Sequence, residues 1–267
     1  MEKSMKQPLI QLIADYGVGD PSFGEVTQKL HGLCPEAVFF ATSVPSFSTI
    51  ATGFWTFQYA MVNSVPGLVI YTNTAPRKDN KGSRIENEGE HLAYALLKNG
   101  VKVVGVNAEH SFTFIKPYIK EFYAVKVANR GSQFRSRDFY PEAVIGIMNN
   151  DPKFIGEKLD INRLYEVPAR RVAWIDGYGN MKTTVRQSDM KKYTSGQPLL
   201  VTIGDMKRTA WYSNGTFSVR EGELAFAPGS SGEKTNPFME LFLRGLSAWK
   251  ELGKPDVEAE FTIESID

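Results

Sequence analysis

The sequence predicts an α/β domain with a mostly parallel sheet over residues 1–162, followed by a smaller all-β, barrel-like domain over residues 163–267. Three observations predict it. Short apolar runs alternate with helical patterns through the first part, the signature of strands joined by helical crossovers. Beyond about residue 162 the apolar runs shorten and are spaced by turn residues, as in a small sandwich or barrel. A chain of 267 residues, 42% hydrophobic and 23% charged, is long enough to bury the cores of two ordinary globular domains.

The first strand is residues 9–14 (LIQLIA), an apolar run with no helical-period polar face that stops at a Gly-rich turn. Asp15 stands where it ends, and Tyr16, Gly17, Val18, Gly19 and Asp20 follow. Ser22 with Glu25 three residues on is a capping-box pattern, so a helix is expected from there to about Gly32. Strand, carboxylate, tight turn, carboxylate and helix start place Asp15 and Asp20 at the carboxyl edge of an α/β sheet, where ligands bind in such folds. An Asp there can accept both hydroxyls of a ribose, and a second can pair with a ligand ammonium. Taken alone, the stretch also reads as a plain turn and cap.

Residues 37–42 (AVFFAT) form the next expected strand, ending in a loop over residues 43–47. Residues 50–62 are apolar nearly all round, with Phe54, Trp55, Phe57 and Tyr59, so this helix should be buried on several sides. A third strand, residues 67–72 (GLVIYT), opens into a polar loop over residues 73–84. Lys98, Asn99 and Gly100 separate two apolar runs, and Asn-Gly is a strong hairpin signal, so residues 92–97 and 101–106 should pair antiparallel within the parallel plan. A strand over 122–127 and a helix over 141–148, with Pro141 at its first turn, complete the domain. In the second domain, strands are expected over 171–176, 199–203, 209–212, 216–219, 223–226 and 258–263, with a helix over 237–252.

Several chemistries are excluded or disfavoured. A net charge of +1 without basic blocks gives no reason to expect a nucleic-acid partner. The three histidines, His31, His91 and His110, have no metal-ligand spacing, so no metal is expected. Ser230 and Ser231 lack the G-x-S-x-G frame of a hydrolase, and no dinucleotide or Walker loop is present. The single cysteine, Cys34, excludes an intrachain disulfide. With no apolar stretch of signal-peptide or membrane-spanning length, the expectation is a cytoplasmic protein without a membrane partner.

Polar loops at 15–22, 43–49, 73–84 and 135–138 fall where expected strands end and can converge on one pocket. In the second domain, Asp176, Gly177, Tyr178, Gly179 and Asn180 form either a β-turn or a place where Tyr178 stacks on a heteroaromatic ring while Asn180 pairs with its edge.

Together these segments resemble the S-adenosyl-L-methionine (SAM) hydroxide adenosyltransferase family, which includes the bacterial fluorinase and chlorinase. The family's D-[FL]-G-x-x-D segment is similar to Asp15 through Asp20, and its T-H-x-I-x-P loop to Thr42, Pro45 and the following Gly53. Its F-H-G-R-D-x-F-x-P run resembles Phe134, Arg135, Ser136, Arg137, Asp138, Phe139, Tyr140 and Pro141, and its I-D-x-F-G-N segment resembles Ile175 through Asn180. Residues 224–230 loosely resemble a later L-E-I-A-V-N-x-G-S segment.

The resemblance implies an α/β domain and a β-barrel-like domain, a homotrimer, and displacement of methionine from C5′ of SAM by a small nucleophile, with no cofactor beyond SAM as substrate. It implies that Asp15 holds the ribose diol, Asp20 and Asp176 flank the methionine ammonium, and Asn180 and Tyr178 take the adenine. Ser22 would touch the methionine end and Arg220 its carboxylate.

The departures bear on the nucleophile. Asn73 stands where hydroxide-transferring members carry an aspartate, and Arg135 replaces the family histidine; neither an amide nor a guanidinium shuttles protons. The P-D-N-G segment has become Val106, Asn107, Ala108 and Glu109. Ser136 falls where the fluorinase places its halide-contacting serine, and Arg77, Lys78, Arg135 and Arg137 would make a pocket attractive to an anion. Arg137 paired with Asp138 in a turn is the structural alternative. The expected activity is therefore adenosyl transfer to water, hydroxide or halide, or binding of SAM or adenosine without turnover.

Overall fold

The structure, a computed structural model, describes residues 7–76, 90–128, 132–215 and 217–266. Residues Arg77 and Lys78 lie outside the described residues. The chain divides into two compact units, Met1–Glu166 and Val167–Asp267.

In the first unit the elements run β1 (Leu9–Ala14), α1 (Pro21–Leu33), β2 (Val38–Ser43), α2 (Thr49–Met61), β3 (Leu68–Asn73), β4 (Leu92–Leu97), β5 (Lys102–Val106), β6 (Ile119–Val125), α3 (Arg135–Asp138), α4 (Tyr140–Met148) and β7 (Ile155–Lys158). The strands form one seven-stranded sheet in the order β2-β1-β3-β5-β4-β6-β7. β1 pairs parallel with β2 and β3, and β3 pairs parallel with β5. From β5 onward, β4, β6 and β7 run antiparallel to their neighbours. The sheet is therefore mixed, which corrects the expectation of a mostly parallel one. The reason is local: the turn at Lys98, Asn99 and Gly100 sends β5 back along β4, and Gly100 takes the positive φ of 87° that the turn needs. With no crossover helix there, the parallel half ends at that hairpin.

Helix α2 is buried nearly all round, as its composition requires, because it packs on β1 and β3 and is covered by the 3-10 turn of residues 113–118. Gly53 makes the close approach possible, since a β-carbon there would sit 2.4 Å from the His110 carbonyl oxygen and 2.8 Å from the Phe114 ring. On the other face, Ile10, Leu12, Val69, Tyr71 and Val104 pack against Val26 and Leu30 of α1 and Val144 and Ile147 of α4.

The second unit contains β8 (Val172–Ile175), β9 (Met181–Arg186), β10 (Pro198–Ile203), β11 (Met206–Tyr212), β12 (Leu224–Glu233), β13 (Asn236–Leu243), α5 (Ala248–Glu251) and β14 (Phe261–Ser265). Its seven-stranded sheet runs β14-β10-β11-β12-β13-β9-β8. The two ends of that order meet: Arg171 and Glu260 form an antiparallel bridge, and Val172 N–H donates to the Ala259 carbonyl at 2.9 Å.

The helix expected over residues 237–252 is replaced by strand β13 and the single-turn α5. Its Met, Glu and Leu residues favour helix intrinsically, but the run lies between β12 and β9, buries Phe238, Met239 and Leu241 completely, and gains a ladder on each side. Strand β9, which the sequence pattern does not announce, is the return arm of the turn at 176–180. No strand forms over Phe217, Ser218 and Val219, which lie in turns and bends.

Candidate functional site

The parallel strands β1, β2, β3 and β5 end at one edge, and a cavity of about 600 Å³ opens there. Asp15, Tyr16, Asp20 and Ser22 line it from the end of β1 and the start of α1; Phe47 comes from the loop after β2, and Asn73 and Ala75 from the end of β3. Glu90, just before β4, and Phe134, Arg135, Ser136 and Tyr140 of the α3–α4 region complete it. Position at the carboxyl ends of parallel strands is the usual place for a ligand in a sheet of this kind.

Asp15 is anchored at the strand end. Its N–H donates to the Asn73 carbonyl at 3.2 Å, and its Oδ2 accepts the Phe47 N–H at 3.0 Å. Phe47 holds a φ of 64°, a left-handed conformation uncommon for a residue with a side chain. Asp20 is the N-cap of α1: its Oδ1 accepts the Ser22 N–H at 2.7 Å, with Pro21 at the first helical position. Hydrogen bonding from Ser22 lowers the Asp20 carboxyl below its ordinary value, so it stays charged. The cap is thus Asp20 and not Ser22, because Pro21 has no N–H and fits the first helical turn. Glu25 does not close a capping box; its Oε2 accepts Arg137 Nη1 at 2.8 Å.

Behind these carboxylates lies a chain of hydroxyls. Tyr16 Oη donates to Ser136 Oγ at 2.7 Å and accepts from Asn73 Nδ2 at 3.1 Å. Tyr71 Oη donates to the Ser136 carbonyl at 2.8 Å. Burial pushes the Tyr16 phenol above its ordinary value despite the Ser136 hydrogen bond, and burial likewise raises Tyr71 and Tyr140. All three phenols therefore stay protonated at neutral pH. Arg135 lies over the Tyr140 ring, 5.7 Å from its centroid.

Asp15, Asp20, Ser22, Asn73, Arg135 and Ser136 are thus brought to one cavity, while the proposed cationic character is not found among the described residues. Arg137 does not line the cavity; its Nε binds Asp138 Oδ1 at 2.7 Å and it bridges to Glu25. Hydrogen bonding to Arg137 holds the Asp138 carboxyl below its usual range, with a further bond from Ser132. The described charged lining is Asp15, Asp20 and Glu90 against Arg135, an acidic excess. Tyr16 was legible only as a member of the Asp15–Asp20 segment, and Glu90 carried no signal in the sequence.

In the second unit, Asp176, Tyr178 and Asn180 share the β8–β9 turn. Asp176 Oδ1 accepts the N–H groups of Tyr178 and Asn180 at 2.9 and 3.0 Å, and its Oδ2 accepts Asn180 Nδ2 at 3.0 Å. Asp176 therefore organises the turn and orients Asn180. Gly179 has a φ of 84°, and a β-carbon on it would meet Ser247 Oγ at 2.0 Å. Tyr178 projects from the turn with 84% of its surface exposed. Arg220 is exposed in the loop before β12, its N–H donating to Glu223 Oε2 at 2.7 Å.

Among the described residues no group of three or more His, Cys, Asp or Glu side chains could hold a metal ion, and no helix is long and apolar enough to cross a membrane.

No protein-family model matches the chain, and no curated protein matches it. Solved structures do. An uncharacterized conserved protein from Thermotoga maritima aligns over 95% of this chain and 99% of its own, with 20% identity and a TM-score of 0.73. A conserved hypothetical protein from Thermus thermophilus aligns over 96% of this chain and 99% of its own, with 18% identity and a TM-score of 0.68. What is shared is the fold.

Proposed function

We propose that the cavity at the carboxyl edge of β1, β2 and β3 binds S-adenosylmethionine, and that the protein is a divergent SAM hydroxide adenosyltransferase. The observation that carries the reading is a cavity whose described lining is acidic, with Asp15 fixed at its rim. SAM carries a sulfonium and an ammonium, and an excess of carboxylates suits both. The volume lies in the range of cavities that enclose ligands of this size. Asp15 would accept the ribose diol, and Asp20 would meet the ammonium.

In the reaction, a small nucleophile attacks C5′ in line with the C5′–S bond, which breaks and releases methionine as a neutral thioether. Positioning supplies most of what the protein must add. With Tyr16 donating to its Oγ, Ser136 has its own O–H left to hold the nucleophile. Among the described residues the acidic lining disfavours a free halide and favours water, which gives adenosine; the proton of the water passes to a cavity carboxylate or to solvent.

A second reading, binding of SAM or adenosine without turnover, is favoured by one observation: Asn73, at the family's aspartate position, spends its amide on Tyr16 and cannot accept a proton. Incubation of the purified chain with SAM, with and without chloride or bromide, followed by chromatography of the nucleosides separates these. Adenosine supports hydrolysis, a 5′-halogenated adenosine supports the halide route, and saturable binding without product supports the second reading. Absence of binding by calorimetry overturns the ligand assignment. Light scattering on the same sample tests the homotrimer.

A further inference from the structure

A second cavity, of about 290 Å³, lies wholly within the second unit, beside the seam where Arg171 meets Glu260. Its floor is apolar: Val185, Met190 and Ile263 line it and are 7%, 2% and 5% exposed. Tyr193 also lines it, its ring tilted against that of Tyr212 with centroids 6.2 Å apart. Its rim is basic. Arg170 and Lys192 line it together with one described carboxylate, Asp189. That carboxylate is already engaged, since its Oδ2 accepts the Arg186 N–H at 2.8 Å.

The basic groups are placed by the fold. Arg186 borders the cavity, but its guanidinium lies over the Phe238 ring, 3.6 Å from the centroid, with Nη1 donating to the Asn236 carbonyl at 3.1 Å. Neither of these partners lines the cavity, so Arg186 is not part of the rim that meets the anion. Lys192 Nζ sits 4.9 Å from the centroid of the Tyr193 ring. Arg170 keeps a φ of 51°, a left-handed backbone that a residue with a side chain adopts only under constraint, and its carbonyl accepts the Phe261 N–H at 3.0 Å in the seam.

From this combination we infer that the second unit carries a binding site for a small amphipathic anion, an aromatic or short aliphatic carboxylate whose body enters the apolar floor while its head meets the basic rim. The volume limits the ligand to about ten to fifteen non-hydrogen atoms, at the lower end of small-molecule cavities. A larger nucleotide is too bulky. A neutral hydrocarbon would fill the floor and leave the rim unused, so the charge selects the class. This site is independent of the adenosyl chemistry proposed for the first unit.

The test is a titration of the full chain, methyl-labelled at Met and Ile, with naphthoate and with its neutral counterpart naphthalenemethanol. Naphthoate should give saturable shifts at the Met190 and Ile263 methyls, and the alcohol should bind about ten-fold more weakly. Arg170→Ala and Lys192→Ala should each weaken naphthoate by about three-fold, the scale of one partly exposed ion pair. Ala169→Trp, at the exposed rim, should block entry while the rest of the methyl spectrum stays in place. Failure of naphthoate to shift those methyls, equal affinity for the alcohol, or charge variants that bind like the parent would each overturn the assignment.

Discussion

Replacing Tyr16 by Phe probes the hydroxyl chain that underlies the cavity. The ring should stay where it is, because its edge contacts with Phe23 and Phe134, at centroid distances of 5.0 and 5.8 Å, do not involve the hydroxyl. What is lost is the bond to Ser136 Oγ and the acceptor for Asn73 Nδ2. Each such bond contributes about 1 kcal/mol, and Ser136, only 5% exposed, has little water to turn to. A loss of about 2 kcal/mol in the first unit follows, which is roughly a 30-fold faster opening of β1 amides. Native-state hydrogen exchange reads this directly, with β10 amides of the second unit as an internal control. Ser136→Ala alone removes the same bond from its other end, so the double variant should fall short of additivity by about 1 kcal/mol. Strict additivity, or a Tyr16→Phe effect below about 0.5 kcal/mol, would refute the claim that these hydroxyls act as one unit.

Asp15→Asn keeps an acceptor for Phe47 but removes the charge, and should weaken SAM binding about 100-fold by calorimetry if charge-assisted bonds to a diol form there. Gly53→Ala drives a β-carbon into the His110 carbonyl and the Phe114 ring, and should cost about 3 kcal/mol, measured by urea denaturation. The Asp138 carboxyl is held below its unfolded value by Arg137, so its contribution is present above about pH 4 and is lost as pH falls through the folded value. The urea midpoint of Asp138→Asn should therefore lie below that of the parent at pH 7 and converge with it in acid.

The first unit's elements were largely legible because its strands are apolar runs closed by turn residues. Leu9 to Ala14 has no polar face to offer a helix, and Asn99 with Gly100 announces the hairpin. The mixed character of the sheet was less so, since sequence shows where a strand reverses but not which later strands join it. In the second unit, Asn236 to Leu243 carries helix formers, and its strand state is imposed by the ladders on either side. Within the candidate site, Asp15 and Asp20 were visible as a motif, whereas Glu90 arrives through pairing of the distant strand that follows it. Of the expected cationic set, Arg135 lines the cavity and Arg77 and Lys78 lie outside the described residues, whereas Arg137 finds Glu25 on a helix more than a hundred positions away, a partner that no local pattern reveals.

The Arg171–Glu260 seam carries a consequence for how the protein is made. It joins residues from the start and the end of the second unit, so both flanks of that sheet keep unpaired backbone groups until β14 docks. During synthesis the second unit cannot close its sheet until β14 has emerged from the ribosome, whereas every strand of the first unit precedes it in the chain. Removing β14 would leave two open flanks able to recruit other chains, and a protein without it should depend on chaperones in a way the intact sheet does not.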